Sequence, residues 1–274
     1  MANLKSTGLC KLCEKRQVGS QASHIVPKFF TKSIYFKEAS NQGMKTMKFV
    51  EGIMGEIEND WQQDGLKQKY LFCSNCEKYF ELLDTHFSNK IYRPLRDSEE
   101  RNKHFLIFTL QHTVAFCEKA DTNIVALFLI SLFLRCHVSD LPFCKNFELN
   151  NEEYSYLRKL LNEYYSLKQT ELQTKSISKP IRNSFSYLIF TCANNSKINA
   201  NASFVEAQYR SNVGIYYIVI NDYVFTLYLQ KQPFSFSETL NTNSEKVKIT
   251  LLNDADFNIT RTINFEKYIK SIYS

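Results

Sequence analysis

The chain has 274 residues, long enough for two domains or one large one with a substantial core. A hydrophobic fraction of 44% and a charged fraction of 23% are ordinary for a globular protein and exclude a disordered or fibrous chain. The net charge of +6 allows contact with nucleic acid but is too modest for a protein that coats it.

The opening segment, MANLKSTGLCKLCEKR, has no apolar run of the signal-peptide kind, so a cytoplasmic location is expected. Cysteines there are reduced or metal-bound rather than disulfide-paired. Cys10-x2-Cys13 and Cys73-x2-Cys76 share a spacing that sets two thiols on one tight turn. Four thiolates at tetrahedral angles suit Zn²⁺, and these four are predicted to hold one structural zinc ion. The stretch between the pairs is too long for a minimal finger and must carry structure of its own. Residues 1–95 are therefore read as a zinc domain, with a loop and a short strand pair in 41–60. The second pair runs straight into a helical pattern whose Phe80, Leu83 and Phe87 make one apolar face.

Residues 96–175 read as helical. Phe105, Leu106, Phe108, Leu110, Val114 and Phe116 suggest one buried helix. Asp121 or Thr122 is suited to cap the next, which contains the apolar stretch Ile124 to Leu134. That stretch is about half of the roughly 20 residues a bilayer requires, so it is expected to be a core helix, with no membrane partner. Asn151 is placed to cap a third helix, with Tyr154, Leu157, Leu160, Leu161, Tyr164 and Leu167 facing inward.

From 176 to 274 the chain becomes β-branched and aromatic, as strands require. Asn221-Asp222 separates two such runs and suits a hairpin turn. A short helix, residues 265–274, closes the chain. The expected class is α+β: a zinc domain, a helical middle region, and an antiparallel β-sheet with a short terminal helix. Sensing a trigger, recognising a site and forming a homodimer or protein contact are the roles open to residues 96–274.

Ser23-His24-Ile25-Val26-Pro27 follows the first cysteine pair, and Leu71-Phe72-Cys73-Ser74-Asn75-Cys76 comes later. In this order the elements resemble the HNH (ββα-metal) nuclease superfamily, over about the first 90 residues. The resemblance implies a treble-clef zinc fold for 1–95 and a metal-dependent endonuclease that hydrolyses phosphodiesters of DNA, or RNA, in defence against foreign DNA. It implies that His24 is the base that deprotonates the attacking water, work suited to an imidazole. It also implies a catalytic Mg²⁺ or Mn²⁺ apart from the zinc, held between the residue before the histidine and the final helix.

The chain departs from the family pattern at three points. Ser23 stands where an acid is usual, no asparagine occurs in 65–70, and Glu77 follows Cys76 where Asn or His is common. Glu77, Glu81 and Asp84 nevertheless share one helical face, which makes Glu77 and Asp84 the candidate ligands of the ion. His86 is turned about 200° from Asp84 and is the weaker candidate. Blander readings stand beside these. The acidic stripe also suits a solvated helix face, and His24 suits a structural histidine bonded to a backbone carbonyl. The chain itself then becomes a catalytically degenerate zinc-stabilised module that binds nucleic acid or a protein.

Lys28, Lys32, Lys45, Lys48, Lys67, Lys69 and Lys78 interleave with Phe29, Phe30 and Tyr35. That mix suits phosphates and stacked bases, or a solubilising surface over an aromatic core. Cys117, Cys136, Cys144 and Cys192 lack paired spacing and are expected in the core. Arg135, ending the apolar helix, is either a guanidinium reaching water, the commoner case, or a buried one holding a carboxylate or phosphate.

Overall fold

In a computed structural model of the chain, the described residues are 8–31, 66–109, 113–145, 147–165, 185–192, 205–210, 215–229, 241 and 245–253, with short strand segments at 36–38, 41–43, 49–50 and 53–54. They form a mixed α/β structure. The first part contains β1 (Ala22–His24), α1 (Lys28–Thr31), the antiparallel pairs β2 (Phe36–Glu38) with β3 (Asn41–Gly43) and β4 (Phe49–Val50) with β5 (Ile53–Met54), then β6 (Lys67–Lys69) and α2 (Ser74–Phe87). β4 and β5 are the strand pair expected in 41–60. β1 and β6 run antiparallel, with His24 opposite Lys67. A wide π-helical turn over Ser88–Tyr92 carries α2 into α3 (Arg93–Arg96) and α4 (Ser98–His104).

Residues 105–117 are not helical. They form a hairpin of β7 (Phe105–Thr109) and β8 (Thr113–Cys117). The β-branched and aromatic residues here satisfy either period, and the ladder partner decides: β8 pairs along its length with a strand from the far end of the chain. On β7, which forms the sheet edge, Leu106, Ile107 and Phe108 are exposed.

α5 (Thr122–His137) begins at Asp121, whose carboxylate accepts from the backbone N–H groups of Asn123 (2.9 Å) and Ile124 (3.0 Å). Every residue from Asn123 to Cys136 is buried, as the length of the apolar run led one to expect. No helix among the described residues is long and apolar enough to cross a membrane. α6 (Asn151–Tyr164) is capped by Asn150, one residue earlier than expected. Glu153 is the reason: it sits three residues after Asn150, and the two close a reciprocal capping box. Leu157, Leu160, Leu161 and Tyr164 form its buried face.

The main sheet adds β9 (Ser186–Cys192), β10 (Val205–Arg210), β11 (Ile215–Ile220), β12 (Tyr223–Tyr228) and β13 (Val247–Leu252), in the spatial order β10-β11-β12-β9-β13-β8-β7. It departs from expectation twice. β13 runs parallel to β9, and two of its seven strands come from the region read as helical. The hairpin of β11 and β12 turns at Asn221-Asp222 as expected, with Asn221 at φ 54°, a conformation asparagine tolerates. The helix expected at 265–274 lies outside the described residues.

One apolar cluster runs from Cys10 to Leu251 and joins both parts of the chain. At its centre the Phe87 and Phe128 rings stack with centroids 4.2 Å apart, and Phe30 meets Tyr223 edge-on at 5.4 Å. The hairpin tip adds polar ties: Asn221 donates to the Phe30 carbonyl (2.9 Å) and Asp222 pairs with Arg96 (2.7 Å). Sheet, α5 and α2 thus share one interior.

Candidate metal centre and the adjacent pocket

The first knuckle is a turn in which Glu14 N–H bonds the Cys10 carbonyl (2.9 Å), with Glu14 itself at φ 51°. The Lys11 N–H bonds the Leu71 carbonyl (2.9 Å) and ties this turn to the second knuckle. Cys73 occupies the N-cap of α2 and Cys76 its first turn. The four sulfurs lie within 4.8 Å of one another. Cys10 and Cys76 are 3.5 Å apart, Cys73 and Cys76 3.5 Å, and Cys13 and Cys73 3.8 Å. A tetrahedral ion with M–S bonds of about 2.3 Å needs S···S edges of about 3.8 Å, so the cluster fits a metal such as zinc.

Its electrostatics agree. The neighbouring Cys76 thiol, against the effect of burial and with help from backbone groups, draws Cys10 down to about 4. The same contact and burial push Cys76 up. Four crowded sulfurs do not all ionise unless a cation lies among them.

An open pocket of about 520 Å³ lies on the adjoining face of α2. His24, Glu77, Glu81 and Asp84 all line it, so the candidate catalytic residues meet in one place. Lys28, Lys78 and Arg93 add cations to its wall. Ser23 is buried beneath it. Burial raises the Glu77 carboxyl above its ordinary range, opposed by the nearby Ser23 hydroxyl and by Arg135. Among the described residues neither Ser23 Oγ nor Glu77 Oε1 has a hydrogen-bond partner, so Ser23 acts on Glu77 through proximity rather than a well-formed bond.

Asp84 departs from expectation. Burial raises its carboxyl too, and Arg135 opposes that rise through a two-pronged bond: Nη1 to Oδ2 at 3.0 Å and Nη2 to Oδ1 at 2.8 Å. Arg135 is 1% exposed and is not the water-seeking helix end that was the commoner expectation. All five of its donors are used. Nη1 also bonds the His24 carbonyl (3.1 Å), Nη2 the Ser131 hydroxyl (3.2 Å), and Nε the Ser131 carbonyl (3.2 Å). A buried cation requires such partners, and α5 delivers it to the junction of β1 and α2.

His86 belongs elsewhere. It is buried, and its Nε2 accepts from the Asp121 N–H at the start of α5 (3.1 Å), while burial lowers its pKa to about 4. Gln68 on β6, in the segment that lacks the family asparagine, accepts from Ser139 Oγ and Asp140 N–H, both at 2.8 Å. Lys32, Tyr35, Lys45 and Lys48 lie outside the described residues. Sequence reasoning did not place Arg135 in the site; its one signal was a lone guanidinium ending a helix otherwise apolar.

Comparison of the chain with protein-family models, with curated proteins and with solved structures finds no match.

Proposed function

We propose that the N-terminal unit is a treble clef around one structural Zn²⁺, and that the pocket on α2 is an HNH-like site that binds and cleaves the phosphodiester backbone of nucleic acid. One observation carries this reading. His24, at the end of β1, and the carboxylates of α2 line the same pocket, beside the four-cysteine cluster. The order knuckle, β1, β6, knuckle, α2 is the order in which the sequence elements resemble that superfamily.

His24 acts as the base that takes the proton of the attacking hydroxyl, and Lys28, Lys78 and Arg93 attract the phosphates. The Mg²⁺ or Mn²⁺ that the resemblance implies finds a poor set of ligands. Ser23 replaces an acid, and both oxygens of Asp84 are held by a guanidinium whose charge repels a dication, which leaves Glu77 and Glu81 as the remaining carboxylates of the pocket. Defence against foreign nucleic acid is the setting this activity suits.

The test uses the full chain with DNA and RNA, with and without Mg²⁺ or Mn²⁺. Wild type is expected to cut one of them. His24→Ala is expected to cut about 10²–10⁴-fold more slowly, with unchanged zinc content and melting temperature. The clasp of Arg135 on Asp84 favours a second reading, a module that binds nucleic acid without cutting it. Salt-dependent binding with no cleavage under any of these conditions supports that reading and overturns the first.

A further inference from the structure

The resemblance puts the catalytic ion between the end of β1 and the helix after the second knuckle. In this chain a guanidinium makes that bridge: Arg135 joins the His24 carbonyl at the end of β1 to Asp84 on α2. It cannot serve as a phosphate clamp, because all five donors are spent on protein groups. It is a fixed internal cation, 1% exposed, seated where the ion's ligands would converge.

The consequence for chemistry is specific. A divalent ion activates water and stabilises the leaving oxygen, and hydrolysis of DNA by water needs both. RNA carries its own nucleophile, a 2′-hydroxyl held next to the phosphorus, and intramolecular attack gains from proximity what the ion would supply by activation. Such a reaction needs a base for the 2′ proton and cations around the phosphorus. The pocket offers His24 for the first and Lys28, Lys78 and Arg93 for the second. Its volume of about 520 Å³ lies in the range that admits a nucleotide.

Building on the cleavage reading above, we infer that the substrate of this pocket is RNA and that Arg135 occupies the place of the divalent ion, so that cleavage proceeds by transesterification without one. His24 takes the proton of the 2′-hydroxyl. The 2′-O–P bond forms as the P–O5′ bond breaks, and the 5′-oxygen leaves with a proton drawn from solvent water. The products are a 2′,3′-cyclic phosphate and a 5′-hydroxyl, and neither oxidant nor reductant takes part. Arg135 is here a positioning residue, which holds Asp84 and the His24 backbone.

The experiment compares an RNA oligonucleotide with DNA of the same sequence, using zinc-loaded full chain. Both are incubated in buffer without added Mg²⁺ or Mn²⁺, with and without brief exposure to EDTA, and zinc content is measured afterwards so that lost fold is not read as lost chemistry. The RNA is expected to yield cyclic-phosphate and 5′-hydroxyl ends at a rate unchanged by EDTA, while the DNA stays intact. A single 2′-deoxy nucleotide on the 5′ side of the cut linkage should stop cleavage there, a result that involves no variant protein. Cleavage of either polymer only with Mg²⁺ or Mn²⁺, leaving 5′-phosphates, overturns the inference and leaves the cleavage reading standing. Binding without cleavage of either polymer overturns both.

Discussion

The knuckle unit gathers four sulfurs within 4.8 Å of one another, whereas α5 is buried from Asn123 to Cys136. The first arrangement concentrates four metal-binding groups in one small cluster, where binding energy, if a metal is held, is folding energy. The second spreads stabilisation over a dozen buried side chains, so no single loss is decisive. The two meet at Arg135, where the core helix places a charge in the pocket beside the knuckles. The contrast teaches that residues 96–274 are not an appendage to the four-cysteine unit: through Arg135 they complete its pocket.

The largest effect tests the first half of the contrast. Binding energy at structural zinc sites is folding energy, on the order of 10 kcal/mol. Stripping the metal should therefore abolish hydrogen-exchange protection in residues 8–31 and 66–73 before it affects β11 and β12. Elemental analysis of protein purified without chelator should give about one zinc per chain. Folded protein with none would break the comparison.

The point where the two halves meet is next. Arg135→Met strands the Asp84 carboxylate in a site that burial already makes unfavourable for its charge. A loss of about 3–5 kcal/mol is expected, read from the urea midpoint. The double variant Arg135→Met/Asp84→Leu should regain much of it, because burying neither charge removes the mismatch. If the single variant is as stable as wild type, the clasp does not join the halves.

The smallest effect concerns His86. Its folded pKa of about 4 lies below the ordinary 6.5, because burial disfavours the charged ring. Above pH 6.5 neither folded nor unfolded chain protonates it, and its contribution is intact. As pH falls from 6.5 towards 4 the unfolded chain binds a proton that the folded chain refuses. Stability should drop by on the order of 3 kcal/mol across that window. His86→Gln keeps an acceptor for the Asp121 N–H but does not titrate. Its urea midpoint should therefore change less than that of wild type between pH 7 and pH 4.5.

The four-cysteine cluster was legible because its chemistry is local: two thiols on a turn, stated twice, need no knowledge of the rest of the chain. α5 was legible from length, and the β11–β12 turn from Asn221-Asp222. The hairpin at 105–117 reads as helical by its sequence pattern alone because its aromatic and aliphatic residues fit either period, and only the pairing of β8 with β7 and with distant β13 decides between them. The Arg135–Asp84 clasp left one local sign, a lone guanidinium ending an apolar helix, and nothing that named its partner, which lies 51 positions away. What the sequence conceals here is pairing across distance, and the pocket is made of it.

α5 leaves one demand that only the order of synthesis reveals. The helix is buried on every side, yet the strands that share its interior, among them Phe225 on β12 and Ile249 on β13, follow it in the chain. At about 5–20 residues per second it waits on the order of ten seconds beyond the ribosome before its cover exists. During that interval its apolar side chains lack the cover those strands supply, so the order of the chain leaves this core helix uncovered until the sheet is complete.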